Sequence, residues 1–386
     1  MPKLSGNKGE WSEIYIFLKL LDDGKIFAAD SNMKKIDTVY LNILKILREE
    51  IVGNLYEYKT GNPIKISLNG VDVGPDVSHG DINDIIKELW SEFQTTTGNI
   101  SSAKIESFLN SIHIKKLKSP PTATSPFFGG TADIVLQVSD YRTSIISDVG
   151  FSCKSEFKHK STLFNASKNN TNFCYELVGE IDDALMDKVN NLYKVKSKKD
   201  GTIKQDIAVS DRIKALKDAG ISIKFDSQLE ESAERNIVLS GGIEMPSIVA
   251  CILENYYWEH NGETAHSSFA EAIQYVVNQN PAGYTFKDIE SIYKSKIGKL
   301  LYDMFTGMRL AKPWEGRSSV SGGYIVVKED GDVLAYHTTL ADEFKDFLVD
   351  KLGLETPSSS RHNAMQVYKK DGKYYINFNL QVRFKG

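Results

Sequence analysis

Two apolar runs separated by a short polar stretch constrain the fold of this chain more than any other feature. The first run covers residues 132–138, the second covers 144–155, and the polar residues 139–143 lie between them. Successive side chains of a strand point to opposite faces, and Ile134, Leu136 and Val138 therefore share one face while Asp133 and Gln137 share the other. The pattern predicts two adjoining strands joined as a hairpin, with apolar contacts on both sides of the first strand.

The hairpin brings the start of the first strand next to the end of the second, and an aspartate and a lysine lie at these two ends. Asp133 heads the first run, and Lys154 follows near the end of the second, on the same face as Ser152. A carboxylate and an ammonium group can together hold Mg²⁺, a phosphate and an attacking water, so the pair indicates metal-dependent phosphodiester cleavage. The alternative is a strand-end salt bridge, because a buried charge needs a partner in any case.

Composition excludes several other classes of protein. The chain has 386 residues, of which 41% are apolar and 25% charged, which is typical of a soluble protein with one large or two medium domains. It has neither a membrane-spanning apolar stretch nor a signal sequence, so we expect a cytoplasmic protein that does not contact the membrane. Three cysteines without CxxC spacing give no zinc ribbon or disulfide framework. Because the net charge is −4, DNA binding would require lysines clustered on one surface. The candidates are the lysine-rich runs at 115–118, 154–160 and 194–199. Such runs are equally typical of solvated faces.

Two other chemistries can be assigned to the second run. Ser152 and Lys154 resemble a serine/lysine hydrolase pair, but residues two apart on one strand lack the nucleophile elbow and the oxyanion loop of acyl transfer. Cys153 could be the nucleophile of a thiol enzyme, yet it points to the apolar face and is typical of core packing.

The periodicity along the chain predicts four segments: a first core helix at 1–24, an α-rich insertion at 25–112, a catalytic core at 113–240, and helices followed by β-hairpins at 241–386. Asp-Gly turns at 330–331 and 371–372 mark the two C-terminal hairpins. The predicted helices are 11–21, 37–52, 81–95, 102–112, 175–193, 211–219, 246–258, 267–278 and 286–309, and short strands are predicted at 63–68 and 221–225.

The Asp133…Lys154 pattern resembles the PD-(D/E)xK nuclease core, and flanking segments resemble one branch of it, the HpaII-type restriction endonucleases. The matching segments run nearly end to end: GNKGEWSE at 6–13, GFSCKS at 150–155, LFNAS at 163–167 with TNF at 171–173, KPWEGR at 312–317, GGY at 322–324 and TPSSSRH at 356–362. The nuclease motif is degenerate by itself. Several ordered matches across the chain are far more specific.

This resemblance implies an α+β or α/β fold in which a mixed restriction-endonuclease-like sheet is flanked by helices. It implies a Mg²⁺-dependent type II restriction endonuclease that cuts both strands of DNA at a short palindrome, CCGG for the family's namesake. A companion DNA methyltransferase is then expected in the same system. Asp133 would coordinate the metal, and Lys154 would position the attacking water and stabilise charge on the phosphate. Palindromic cleavage favours a homodimer, since its two-fold symmetry matches that of the site.

Ser152 departs from the resemblance, because the core pattern has Asp or Glu at this position and the metal site therefore lacks one carboxylate. Asp148 lies about 20 Å from Lys154 along a strand and is too far away, whereas Glu156 lies only about 6.6 Å beyond Lys154. Glu176, expected at the start of the next helix, is another candidate. We favour Glu13 on the first helix, although it is equally typical of a surface acid near a helix N-terminus.

Side chains that recognise bases or phosphates are assigned by resemblance alone. Base contacts are expected from Asn165, Asn172, Arg361 and His362, and phosphate contacts from Arg309 and Arg317. Asn-rich segments are also typical of turns that bind nothing. A DNA-binding protein with a degraded, non-cleaving nuclease site is the remaining alternative, and Ser152 motivates it.

Overall fold

The computed structural model describes residues 4–30, 32–118, 132–155, 162–167, 169–197, 203–317, 321–337, 341–357 and 365–385. Its contacts divide the chain into two compact units. Unit 1 comprises Met1–Ser161 and Ser318–Phe347, and unit 2 comprises Thr162–Arg317 and Leu348–Gly386. Both units therefore combine segments that are distant in the sequence.

Helices and strands alternate along both units. The α-helices are α1 (Lys8–Asp23), α2 (His79–Thr95), α3 (Ala103–Ser111), α4 (Asp183–Asn190), α5 (Val209–Asp218), α6 (Glu231–Gly241), α7 (Met245–Leu253), α8 (Phe269–Gln279), α9 (Ile289–Phe305) and α10 (Ala341–Lys351). The strands are β1 (Lys25–Ala29), β2 (Lys35–Ile51), β3 (Asn54–Lys59), β4 (Lys65–Leu68), β5 (Val71–Asp72), β6 (Ile134–Asp140), β7 (Ile146–Ser155), β8 (Thr162–Phe164), β9 (Asn172–Val178), β10 (Tyr193–Ser197), β11 (Ile203–Ile207), β12 (Ser222–Gln228), β13 (Gly323–Val327), β14 (Val333–His337), β15 (Leu352–Leu354), β16 (Val367–Lys370), β17 (Lys373–Asn379) and β18 (Val382–Phe384).

Unit 1 is built on one mixed sheet with the strand order β1-β14-β13-β7-β6-β2-β3-β4-β5. The predicted hairpin is confirmed: β6 and β7 are antiparallel, with Ile134 opposite Phe151 and Leu136 opposite Val149. On the other side of β7, strand β13 runs parallel to it and pairs Tyr324 with Ser152. Strands β6 and β7 are thus interior strands with neighbours on both sides, which fixes the ends where Asp133 and Lys154 lie.

One face of this sheet is covered by α1 and forms the core of unit 1. The buried cluster combines Trp11, Ile14 and Leu18 of α1 with Leu136 and Phe151 of the sheet. Apolar residues recur along α1 at the spacing that places them on one side of a helix. The polar residues Ser152 and Lys154 alternate with Phe151 and Cys153 along β7, so they belong to the opposite face.

The start of α1 is fixed by a capping box. The Asn7 side chain accepts a hydrogen bond from the Glu10 amide at 3.0 Å, and the Glu10 carboxylate accepts one from the Asn7 amide at 3.0 Å. Such reciprocal bonds satisfy amides that lack partners in the first turn. The Gly-Asn-Lys-Gly-Glu segment therefore determines where the helix begins, and with it the position of Glu13 one turn later.

The Gly322-Gly323 pair has a steric role beside β7. Gly323 has a φ of 111°, and a Cβ at this position would collide with the Tyr336 carbonyl of β14. A Cβ on Gly322 would lie 2.6 Å from the Phe151 ring. Only glycine permits this backbone conformation and this close approach, so the pair lets β13 and β14 pack beside the strand that carries Lys154.

Several predicted elements are confirmed. The predicted helices 11–21, 81–95, 102–112 and 211–219 correspond to α1, α2, α3 and α5, and both Asp-Gly hairpins form, as β13–β14 and β16–β17. Helix α1 ends at Gly24, which adopts the left-handed conformation. Helix α9 begins after its N-cap Asp288, whose side chain accepts a hydrogen bond from the Ser291 amide.

Two predicted helices are wrong. Residues 37–51 of the first lie in the long strand β2, and the predicted helix at 175–193 is instead strand β9, helix α4 and the start of β10. The segment 25–112 therefore begins with five strands, and only its second half is helical. Glu176 consequently lies within a strand and not at a helix start.

Unit 2 contains helices α4–α9 and a sheet with the order β12-β9-β17-β16. The Tyr175 hydroxyl of β9 donates to the Ala250 carbonyl of α7 at 2.7 Å, and the Tyr175 and Phe378 rings pack 4.5 Å apart. Smaller sheets pair β15, β18 and β8, and β10 with β11. These contacts place an aromatic core between the sheet and α7.

The chain has a mixed α+β architecture. Within the described residues no single helix has the length and apolarity to cross a membrane. The pair Glu231–Gly241 and Met245–Glu259, bent by 105°, meets those criteria only when its two helices are counted together.

Candidate active site

Asp133 is held at the end of the hairpin by two hydrogen bonds from the neighbouring strand. The Ser152 hydroxyl donates to Asp133 Oδ2 at 2.7 Å, and the Cys153 amide donates to the same oxygen at 2.8 Å. The Asp133 amide in turn donates to the Phe151 carbonyl at 2.9 Å. Among the described residues, both hydrogen bonds to the Asp133 carboxylate use Oδ2. The pairing of the two strands therefore fixes the orientation of the carboxylate, with Oδ1 directed away from β7.

These bonds give the unexpected serine a structural explanation. Ser152 lies opposite Asp133 on the polar face of the sheet, where it supplies a hydroxyl donor in place of a second carboxylate. Two carboxylates at this separation would repel each other, whereas a hydroxyl donates a hydrogen bond. Ser152 therefore orients and stabilises the Asp133 carboxylate.

Glu13 of α1 lines the same cavity as Asp133 and Lys154. The cavity has a volume of about 700 Å³ and is bordered by the first turns of α1, residues 94–99 and the end of β7. Partial burial, reinforced by repulsion from Asp133, raises the pKa of Glu13 from 4.5 to about 7, against the opposing influence of Lys118, Arg48 and Lys154. A raised carboxyl pKa next to a second acid is typical of a site that binds a cation.

Cys153 contributes its backbone amide and not its thiol. The side chain is buried in the core of unit 1, and burial raises the pKa of the thiol well above its ordinary range. A thiol in this state is a poor nucleophile, because reactivity requires the thiolate. The interpretation of Cys153 as core packing is confirmed.

Arg48 and Lys118 also border this site. The sequence interpretation missed Arg48, and it named Lys118 only within the basic run 115–118, as a candidate for DNA binding. Arg48 of β2 lines a narrow crevice together with Glu13 and Asp133, and Lys118 lines the larger cavity. The only sequence signal was the basic run 115–118, which is typical of a solvated surface. The apolar Leu117 inside that run was the indication that the segment packs against the protein.

The remaining metal-ligand candidates lie elsewhere. Asp148 accepts a hydrogen bond from Gln137 at 2.9 Å and is not among the residues that line the cavity. Glu176 belongs to β9 in unit 2, and its carboxylate pairs with Lys373 at 2.9 Å. Glu156 lies outside the described residues. Of the acids considered from the sequence, the described structure thus brings Glu13 and Asp133 to one cavity.

The candidates for DNA contact fall into three groups. Asn165, Arg309 and Arg317 are exposed in unit 2, and their roles stay predictions. Asn172 is fully buried and accepts a hydrogen bond from Asn379 at 2.5 Å, so its side chain connects two strands and does not face DNA, contrary to expectation. Arg361 and His362 lie outside the described residues.

A second cluster of possible ligands occurs in unit 2. His260, His266 and Glu271 place ligand atoms within 4.8 Å of one another, and His266 Nδ1 lies 2.7 Å from Glu271 Oε1. The two imidazole rings stack with centroids 4.0 Å apart and planes at 14°. A metal bound by imidazole lies close to the ring plane, whereas these stacked, nearly parallel rings direct their in-plane lone pairs side by side and not towards one point.

A carboxylate pair and a lysine that line one cavity at the end of a sheet are able to hold a divalent cation and a phosphate, as in metal-dependent nucleases. A sequence profile of the HpaII restriction endonuclease family matches residues 7–384. The type II restriction enzyme HpaII of Haemophilus parainfluenzae is 30% identical over 384 residues, covering 98% of each chain. No solved structure matches the chain significantly. The chain belongs to the HpaII restriction endonuclease family. It is therefore a type II site-specific deoxyribonuclease whose substrate is DNA.

Proposed function

We propose that this enzyme cleaves both strands of DNA in a Mg²⁺-dependent reaction at a short palindrome related to CCGG, and that it acts as a homodimer. Glu13 and Asp133 hold the metal, and Lys154 binds the scissile phosphate. The observation that supports this assignment is the orientation of Asp133 by Ser152 and Cys153, in the cavity that also contains Glu13 and Lys154.

The donor set fits a hard cation. Mg²⁺ prefers carboxylate oxygens together with water and phosphate, and two acids with a free approach from solvent meet that preference. The metal, when bound, supplies Lewis acidity to the phosphate and lowers the pKa of a coordinated water. Asp133 would use Oδ1, because Oδ2 is engaged by Ser152 and Cys153.

Lys154 supplies the positive charge that the protein itself brings to the reaction. Its ammonium group shares the cavity with both acids, and it would hold a phosphate oxygen or the attacking water at hydrogen-bond distance. As negative charge builds up on the phosphate, a fixed cation stabilises the transition state more than the ground state. Ser152 contributes indirectly, through the orientation of Asp133.

The test is digestion of unmethylated plasmid in Mg²⁺ and in EDTA, followed by sequencing of the fragment ends. We expect discrete fragments in Mg²⁺ only, and the ends identify the recognition sequence, the cut position and the overhang. Asp133→Asn and Lys154→Ala should lower kcat by about three orders of magnitude or more while DNA binding is retained. Asp148→Asn is the matched control, because Asp148 lies on β7 with Lys154 but does not line the cavity.

Glu13 is tested against the other acids by a Mg²⁺ titration. Glu13→Gln should raise the Mg²⁺ concentration for half-maximal cleavage at least tenfold, whereas Glu176→Gln should leave it unchanged. Binding without cleavage by the wild-type protein would contradict the nuclease assignment as a whole. A normal Mg²⁺ response of Glu13→Gln would contradict only the role of this residue.

A further inference from the structure

Two lysines besides Lys154 border the candidate cavity, Lys8 and Lys118, and the nuclease motif includes neither. The Lys8 ammonium group donates to the Phe93 carbonyl at 2.6 Å. Lys118 borders the cavity together with Glu13, Asp133 and Lys154. Its charge acts on the Glu13 carboxyl and lowers the pKa of that group against the effect of burial. Lys118 is exposed, so its ammonium group is accessible to a ligand that enters the cavity.

A buried ion pair on β2 holds the segment that carries this lysine. Arg48 and Glu50 are 5% and 3% exposed, and Arg48 Nε donates to Glu50 Oε1 at 2.5 Å. Arg48 Nη2 donates to the Lys116 carbonyl, and the Lys115 amide donates to Glu50 Oε2 at 3.2 Å. Burial of two charges is costly unless their remaining donors and acceptors are satisfied, and here the backbone of residues 115 and 116 satisfies them.

The residue next to Lys118 is fixed from the other side. Leu117 is buried in the core of unit 1 and lies against Gly6, where a Cβ would be 2.5 Å from Leu117 Cδ1. The ion pair and the buried leucine together leave residues 115–117 little freedom. Lys118 is therefore presented to the cavity by a rigid support, although it lies on an exposed segment of irregular backbone.

We propose that Lys118 binds a DNA backbone phosphate beside the catalytic centre, an assignment that rests on the proposed nuclease function of this cavity. A lysine binds phosphate as a point charge, and contacts of this kind set the register of the protein on DNA without recognising its sequence. The cavity is also lined by three acids that would repel DNA, Glu10, Glu13 and Asp133, and Lys118 offsets this repulsion together with Lys154. The Arg48–Glu50 pair holds the segment in place for this contact.

The test compares Lys118→Met with Lys115→Met. Both substitutions remove one charge from the same basic segment, but Lys115 does not line the cavity, and its contact with Glu50 uses the backbone amide. The probe is a duplex that carries CCGG, the palindrome of the proposed function, and binding is measured by fluorescence anisotropy in EDTA at several KCl concentrations. Steady-state cleavage of the same duplex in Mg²⁺ gives KM and kcat.

We expect Lys118→Met to weaken binding about tenfold and to reduce the slope of log affinity against log salt by about one, as loss of one phosphate contact requires. KM should rise while kcat changes less than about threefold, and Lys118→Arg should restore most of the affinity. Lys115→Met should resemble the wild type.

Identical binding of the two methionine variants would overturn the proposal. So would tighter Mg²⁺ binding by Lys118→Met with unchanged DNA affinity, because that result means that Lys118 acts only on the neighbouring acids. Binding is measured without metal, so the Lys118 result stands even if the wild-type protein does not cut. Absence of cleavage by the wild type would instead contradict the proposed function.

Discussion

The raised pKa of Glu13 predicts that this residue destabilises the metal-free protein at high pH. The pKa is about 7 in the folded state against 4.5 for an ordinary glutamate. Between these two values the folded protein keeps a proton that the unfolded chain has lost. The free energy of unfolding therefore falls as pH rises through this window, and the loss is complete once the pH exceeds the folded pKa.

The size of the effect follows from the shift. One pKa unit corresponds to about 1.4 kcal/mol, so the shift corresponds to roughly 3 kcal/mol, and partial solvent access reduces this to about 2–3 kcal/mol. Glu13→Gln cannot ionise. We expect the variant to match the wild type near pH 5 and to be more stable by about 2 kcal/mol or more at pH 8.

The assay is urea denaturation in EDTA at pH 5, 6, 7 and 8, with hydrogen exchange of α1 peptides as the readout, because the chain contains two compact units. Asp84→Asn, which removes an exposed carboxylate of α2, is the control and should show no such dependence. Addition of Mg²⁺ at pH 8 should stabilise the wild type and not Glu13→Gln. A stability difference between Glu13→Gln and wild type that is the same at pH 5 and pH 8 would refute this account.

Three further predictions follow from contacts described above. Ser152→Ala removes the hydroxyl donor to Asp133, a hydrogen bond worth about 1–2 kcal/mol. The Mg²⁺ concentration for half-maximal cleavage should rise about tenfold, while kcat at saturating Mg²⁺ stays nearly unchanged. An unchanged Mg²⁺ titration would contradict the orienting role of Ser152. Neither ring nitrogen of His337 has a hydrogen-bond partner among the described residues, and burial lowers the pKa of this side chain to about 4, so stability should be lost as pH falls from 6.5 towards 4. His337→Phe should remove this acid sensitivity in thermal melts, and equal melting curves of variant and wild type from pH 7 to pH 4 would contradict the lowered pKa of this histidine. Gly323→Ala should destabilise unit 1 by more than about 2 kcal/mol, because the added methyl group would collide with the Tyr336 carbonyl and the backbone has a positive φ. Gly372→Ala should cost only about 1 kcal/mol, because this glycine has a φ of 78° but lies in a turn with open space around it. Similar melting temperatures for the two variants would contradict this difference.

The sequence predicts the hairpin of β6 and β7 well, because both strands alternate regularly. Strand β2 shows why other parts could not be predicted. Ile43 and Ile46 both face the core, three residues apart, since the register shifts between Ile43 and Lys45. A β-bulge of this kind interrupts the two-residue alternation and leaves a spacing of three, which is typical of a helix.

Only part of the candidate site could be predicted from the sequence, because its residues come from elements that are distant along the chain. Asp133 and Lys154 lie on paired strands, so local spacing brings them together. Glu13 and Lys118 come from other elements, and their place in the cavity depends on the packing of α1 and on the buried Arg48–Glu50 pair. Local patterns contain no information about such long-range contacts. Resemblance indicated Glu13, whereas Lys118 had neither a motif nor a periodic pattern to mark it.

The alternation along β7 limits how this enzyme can be altered. The side chains of Phe151 and Cys153 pack in the core, while Ser152 donates to Asp133 and Lys154 lines the candidate cavity. Insertion or deletion of one residue within 150–154 would move Lys154 to the core face of the strand, and an adjacent residue would take its place at the cavity. The loop at 141–145, which lies at the far end of the hairpin, can change in length without this exchange. Natural and engineered variants should accordingly differ in loop length at 141–145 and agree in spacing from Gly150 to Ser155.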